Sequence, residues 1–117
     1  SPAAAYNCEL PGFDVVKRTV CRNKELKRLD TAERNLLHTT SAKLGVTSIG
    51  VMRADRDKFI KDRKACRTDI RCLDAVYNAQ VRLYGEIAAA CEKPAGDQTE
   101  CTQATIAKHR EALHQSR

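Results

Sequence analysis

Apolar positions in this chain recur at three- and four-residue intervals over long stretches, with mostly charged positions between them. Leu26, Leu29, Ala32, Leu36, Leu37, Thr40 and Leu44 form one such stripe. It predicts an amphipathic helix that opens behind Asn23 as N-cap and stops at Gly45. A second helix, with Ser48 as its expected cap, carries the sparser line Val51, Met52, Phe59 and Ile60 and closes at Cys66. Within it DRDKFIKDRK sets opposite charges at i,i+3 and i,i+4, the signature of a solvated face. Asp69 is the expected cap of a third helix. Its line of Leu73, Val76, Tyr77, Gln80, Val81, Tyr84, Ile87, Ala88 and Cys91 is the most regular in the chain.

The flanks are less periodic. Residues 13–21, FDVVKRTVC, read either as one short helix or as irregular chain held down by Phe13, Val16 and Val20. Pro94 and Gly96 break the chain before a last helix over 100–114, where Asp97 and Glu100 have capping-box spacing and Thr99 competes as cap. Its apolar face (Cys101, Ala104, Ile106, Leu113) is thin, which predicts attachment through cysteine chemistry more than through burial. Nothing reads as a strand longer than a few residues. The expected fold class is therefore all-α: a small disulfide-stapled antiparallel bundle of three long helices plus short N-terminal and C-terminal helical segments. A chain of 117 residues suits one domain. Residues 1–11 form an N-terminal extension, 12–91 the helical domain, and 92–117 a C-terminal helical extension packed on it.

Cysteine usage changes the picture most. Six cysteines, at 8, 21, 66, 72, 91 and 101, fit an oxidising compartment. None forms the close pair a zinc site needs, and His38, His109 and His114 are not arranged around them, so no metal or cofactor is expected. In the helical frame Cys66 ends one helix and Cys72 begins the next, so a bridge would clamp their turn. Cys91 and Cys101 suit the following turn. Cys8 with Cys21 completes the set and would contribute about 3 kcal/mol through loop entropy, with Cys21–Cys91 as the open alternative. No apolar run approaches the roughly 18 residues of a membrane-spanning helix. The cysteines point to a periplasmic or secreted protein whose signal peptide has been removed.

Charge and chemistry narrow the function. Asp30 with Glu33, and Asp55 with Asp57 or Asp62, offer carboxylates at the short spacing that glycoside hydrolysis uses. Asp55, Asp57 and Asp62 lie among lysines and arginines and read as surface ion pairs, while Asp30 and Glu33 lie nearer the apolar stripe and read as structural. His109 and His114 read as part of a basic tail. These readings point away from an enzyme. Formal net charge is +6, with basic residues concentrated in KRTVCRNKELKR (17–28) and KHR (108–110). Such patches attract acidic polymers and anionic surfaces. Nucleic acid is disfavoured as the main partner by the cysteines, by an aromatic content of 4% and by the lack of a binding motif.

Two blocks, RTVCRNKELKRLDTAERNLL and DKFIKDRKACRTDIRCLDAVYNAQVRLYGE, resemble the LprI-like family of small exported bacterial proteins. The matching positions are Cys21, Leu26, Leu29 and Asp30; Phe59, Arg63 and Cys66; and Cys72, Leu73 and Tyr77. This chain departs from the pattern with Val15 where members often carry Cys, Phe59 in place of Trp, and Gln80 in place of Arg. Cys91 and Cys101 lie outside it. The resemblance implies an exported binding protein that inhibits lysozyme; the expected mode is occlusion of the active-site cleft by a loop or helix end around 67–71 or 45–50. Arg67, Asp69 and Arg71 are the expected contacts. Arg63 and Tyr77, with Phe59, are expected to serve helix packing. Many animal lysozymes are themselves basic, so such an inhibitor would need a local acidic patch, from Asp55, Asp57, Asp62, Asp69 and Asp74, or a less basic muramidase. Two other readings stand beside it. One is an adhesion or virulence-associated module binding acidic glycans, anionic surfaces or a host protein through Lys24, Lys27 and Arg28. The other is a structural cell-envelope protein.

Overall fold

The computed structural model describes Cys8, residues 12–92 and residues 98–115, and within these it is all-α. Five helices follow in order: α1 (Val15–Arg22), α2 (Lys24–Ala42), α3 (Val46–Cys66), α4 (Ile70–Cys91) and α5 (Thr99–Gln115). Residues 13–21 thus fall mostly in a true helix. Asp14 opens it by accepting the Lys17 N–H at 2.8 Å. Asn23 caps α2 by accepting from Leu26 N–H, and Asp69 caps α4 by accepting from Cys72 N–H, each satisfying a donor left over at a helix start.

The α2–α3 boundary differs from the sequence expectation. Helix α2 ends at Ala42, and Gly45 is the N-cap of α3 instead of the stop of α2. Ser48 is not a cap: it lies within the first turn of α3, fully buried, and its hydroxyl has no hydrogen-bond partner. A glycine flanked by two helices reads equally as a stop or a start, and that ambiguity displaced the boundary. Asp97 lies outside the described residues. Helix α5 begins at Thr99, with Thr102 donating its hydroxyl to Gln98 O at 2.8 Å.

Helix α4 is the centre of the bundle and packs against α2, α3 and α5. Two apolar clusters lie along it. The first joins Val16, Val20, Leu26, Leu29, Phe59, Cys66, Leu73 and Tyr77; the second joins Leu44, Met52, Leu83, Tyr84, Ile87 and Cys91. Along α2 and α4 the chain runs from the first cluster to the second, and along α3 it runs back, so successive long helices alternate in direction. The three bridges are Cys8–Cys21, Cys66–Cys72 and Cys91–Cys101, which excludes Cys21–Cys91.

A polar layer separates the two clusters. Glu33 on α2 is fully buried and receives both Arg56 Nε (2.8 Å) and Arg56 Nη2 (2.9 Å) from α3. Tyr84 on α4 donates its hydroxyl to Glu33 at 2.7 Å and accepts from Gln80 at 3.1 Å. Gln80 also donates to Asp55 of α3 at 3.2 Å, and Arg110 of α5 closes the chain on Asp55 at 2.6 Å. Asp55, expected in a surface pair, is therefore buried in a pair across the bundle, its side chain 6% exposed. Its partner lies 55 positions away, beyond any local charge pattern. Asp62 does form the expected surface pair, with Lys58 one turn away.

Candidate functional site

Of the surfaces that carry the candidate residues, the α3–α4 turn is the most constrained. Helix α3 ends at Cys66 and α4 begins at Ile70, leaving Arg67, Thr68 and Asp69 to reverse the chain. Arg67 N–H donates to Lys64 O at 3.2 Å and Asp69 N–H to Cys66 O at 3.0 Å. Asp69 Oδ1 holds the first turn of α4, and the Cys66–Cys72 bridge closes the loop. Arg67 adopts φ 55, a left-handed backbone that a side chain other than glycine occupies at some cost. The result is a fixed turn that presents Arg67, Thr68, Ile70 and Arg71 to solvent, with Ile70 50% exposed. Of the three residues expected to make contact here, Arg67 and Arg71 point outward from a rigid frame, while the Asp69 carboxylate serves as a cap. The alternative contact loop, 45–50, is for the most part the first turn of α3.

The basic segment 17–28 is divided by its helices. Arg28 is hydrogen-bonded to Glu25 one turn back, which raises the guanidinium pKa and lowers that of the carboxyl. Lys24 is exposed at the start of α2. Lys27, also exposed, lines a cleft walled by α1, α2 and α3 with Tyr77 of α4. The second basic run, 108–110, is not a patch. Lys108 is exposed, Arg110 turns inward to Asp55, and His109 is 5% exposed with Nδ1 at 2.8 Å from Glu86 of α4. His109 is one of the two buried residues of α5, so that helix is held by the adjacent His109 and Arg110 pairs as well as by its disulfide. Nothing in the local spacing announced this, because the burying partner belongs to another helix. The proposed acidic patch is reduced likewise, since Asp55 faces the interior and Asp69 is engaged as a cap.

Phe59, Arg63 and Tyr77 form one unit. The Phe59 and Tyr77 rings meet edge to face at 5.3 Å, and the Arg63 guanidinium lies over both, 5.7 and 5.9 Å from their centres. Arg63 Nη1 donates to Tyr77 Oη and Tyr77 donates to Asp30 Oδ1, each at 2.9 Å. Burial pushes the Tyr77 hydroxyl pKa up, with Arg63 pulling the other way. Asp30 also accepts an ion pair from Arg34 at 2.9 Å. The unit ties α2, α3 and α4 together.

Among the described residues no group of His, Cys, Asp and Glu is placed to hold a metal ion, and no helix is long and apolar enough to cross a membrane. No family model, no curated protein and no solved structure matches this chain.

Proposed function

We propose that this protein is an exported binding protein whose α3–α4 turn enters the substrate cleft of a muramidase and blocks it. The observation that carries the reading is the turn itself: a disulfide-closed reversal of three residues with two outward arginines and an exposed isoleucine beside them. Glycoside hydrolases place two carboxyl groups across the scissile bond, about 5–9.5 Å apart. Two guanidinium groups on a rigid turn complement such a pair, and planar arginine suits carboxylates better than lysine does. Because the bridge and the Asp69 cap order the turn beforehand, binding costs little further loop entropy. The resemblance of the two blocks that carry Cys21 and Tyr77 to the LprI-like family supports the same reading, and the three bridges favour an exported setting.

A titration of the oxidised protein into a muramidase assay on whole cell walls tests it. Stoichiometric inhibition is expected, and the variant Arg67→Gly/Arg71→Ala should lose it at unchanged helicity. Glycine at 67 relieves the positive-φ cost, so the loss of inhibition is not a loss of folding. No inhibition at micromolar protein, or equal inhibition by the variant, would overturn the assignment.

A further inference from the structure

The cleft that receives Lys27 has a volume of about 540 Å³. That lies within the range of roughly 300–1,000 Å³ in which small-molecule sites fall. Its charge is one-sided: Lys17, Lys27, Arg34, Arg56 and Arg63 line it against the single carboxylate of Asp30. Glu33 lies behind, on Arg56. Cations gathered on low-dielectric walls concentrate the field in the opening. The remaining lining is mixed: Thr31 from α2 is polar, Ile60 from α3 is a half-buried apolar side chain, and Val20 from α1 forms the buried floor. Helix α1 forms one wall and is secured by the Cys8–Cys21 bridge, so the cleft is shaped before any ligand arrives.

We propose that this cleft binds an acidic saccharide. Its carboxylate is held by Lys17, Lys27 and Arg34 at the rim, its ring face rests on Ile60, and its hydroxyls donate to Asp30. Asp30 decides between ligand classes. A bare oxyanion is repelled by that carboxylate and gains nothing from the apolar lining. A ligand combining an anionic group with hydroxyl donors and a ring face uses all three features. Asp30 retains acceptor capacity beyond Tyr77, Arg34 and the Arg63 ion pair at 3.6 Å, because a carboxylate offers about four lone-pair sites. The cleft shares no residue with the α3–α4 turn, so its ligand is independent of muramidase inhibition.

Calorimetric titration with a galacturonic acid tetrasaccharide, its neutral galactose counterpart and inorganic phosphate tests the proposal. Two variants with the same change in net charge separate a local site from general attraction: Lys17→Glu/Lys27→Glu inside the cleft, and Lys24→Glu/Arg28→Glu outside it. The wild type is expected to bind the uronate and not the neutral sugar. The cleft variant should weaken binding about tenfold or more, and the outside variant much less. Lys17→Gln/Lys27→Gln, which removes charge without reversing it, should give an intermediate loss and covers the case of a misfolded reversal. Equal weakening by both reversals, binding of the neutral sugar, phosphate binding as tight as the uronate, or no uronate binding would each overturn the proposal.

Discussion

Tyr77 and Tyr84 are the residues whose burial has the most direct consequence for stability. Each is essentially inaccessible to solvent, and burial is the main cause that pushes their hydroxyl pKa values up, Tyr77 to about 12. In the unfolded chain a tyrosine ionises near its ordinary value of about 10. Below that pH both states hold the proton and the contribution is constant. Between pH 10 and 12 the unfolded chain gives it up while the folded chain keeps it, so stability falls as pH rises. One group lowers it by about 1.4 kcal/mol per pH unit, on the order of 2–3 kcal/mol for Tyr77 over this window, and Tyr84 acts in the same direction. Tyrosinate absorbance followed together with far-ultraviolet circular dichroism should show two tyrosines ionising only as the helices melt. Ionisation of all three tyrosines near pH 10 with helicity retained would contradict this account. Tyr77→Phe should flatten the alkaline limb.

Between helices, the decisive feature is the polar chain that runs from Arg56 through Glu33, Tyr84, Gln80 and Asp55 to Arg110 and joins α2, α3, α4 and α5. It crosses the bundle between two apolar clusters, so sliding one long helix past another would strand a buried carboxylate. A buried pair contributes little against well-packed apolar replacements but is costly to break from one side. Arg56→Ala should therefore cost about 3–5 kcal/mol, a large part of the 5–15 kcal/mol typical of a whole domain. Glu33→Leu/Arg56→Leu should recover most of that loss. Urea midpoints of the two variants measure the difference, and an Arg56→Ala cost no larger than that of an exposed arginine would refute the account. The same chain marks where sequence reading reached and where it stopped. The stripes of α2 and α4, the Asn23 and Asp69 caps and the turn-clamping cysteines were all legible, because each depends on neighbours within a turn or two. Glu33 lies near the apolar stripe, a place that predicts the structural role it has. Asp55, Arg110 and His109 were misplaced because their partners lie on other helices, and charge spacing along one helix carries no trace of them. The cleft was missed for a related reason. Lys17, Arg34 and Arg63 come from three helices, and spacing along any one of them does not show that they meet at one opening.

For the molecule as a whole, the net charge of +6 separates the two proposed surfaces by the sign of their salt dependence. A basic muramidase and this protein repel at long range, while the contacts of Arg67 and Arg71 act only after encounter. Raising ionic strength from about 0.01 to 0.1 M shortens the screening length from about 30 to 10 Å. That removes most of the long-range repulsion and leaves the short contacts partly intact. The association rate with a basic muramidase should accordingly rise over this range, although dissociation also quickens as the arginine contacts weaken, so the rate and not the equilibrium constant is the readout. With an acidic muramidase the association rate should fall instead. A uronate at the cleft is attracted by both the local cations and the net charge, so its affinity should fall steadily with salt. Measured on one preparation, these opposite trends would assign one binding mode to the turn and another to the cleft. If the association rate with the basic enzyme fell in parallel with uronate affinity, the contact would have to run through an acidic target surface facing the basic cleft. The stapled turn would then lose its assignment as the inhibitory element.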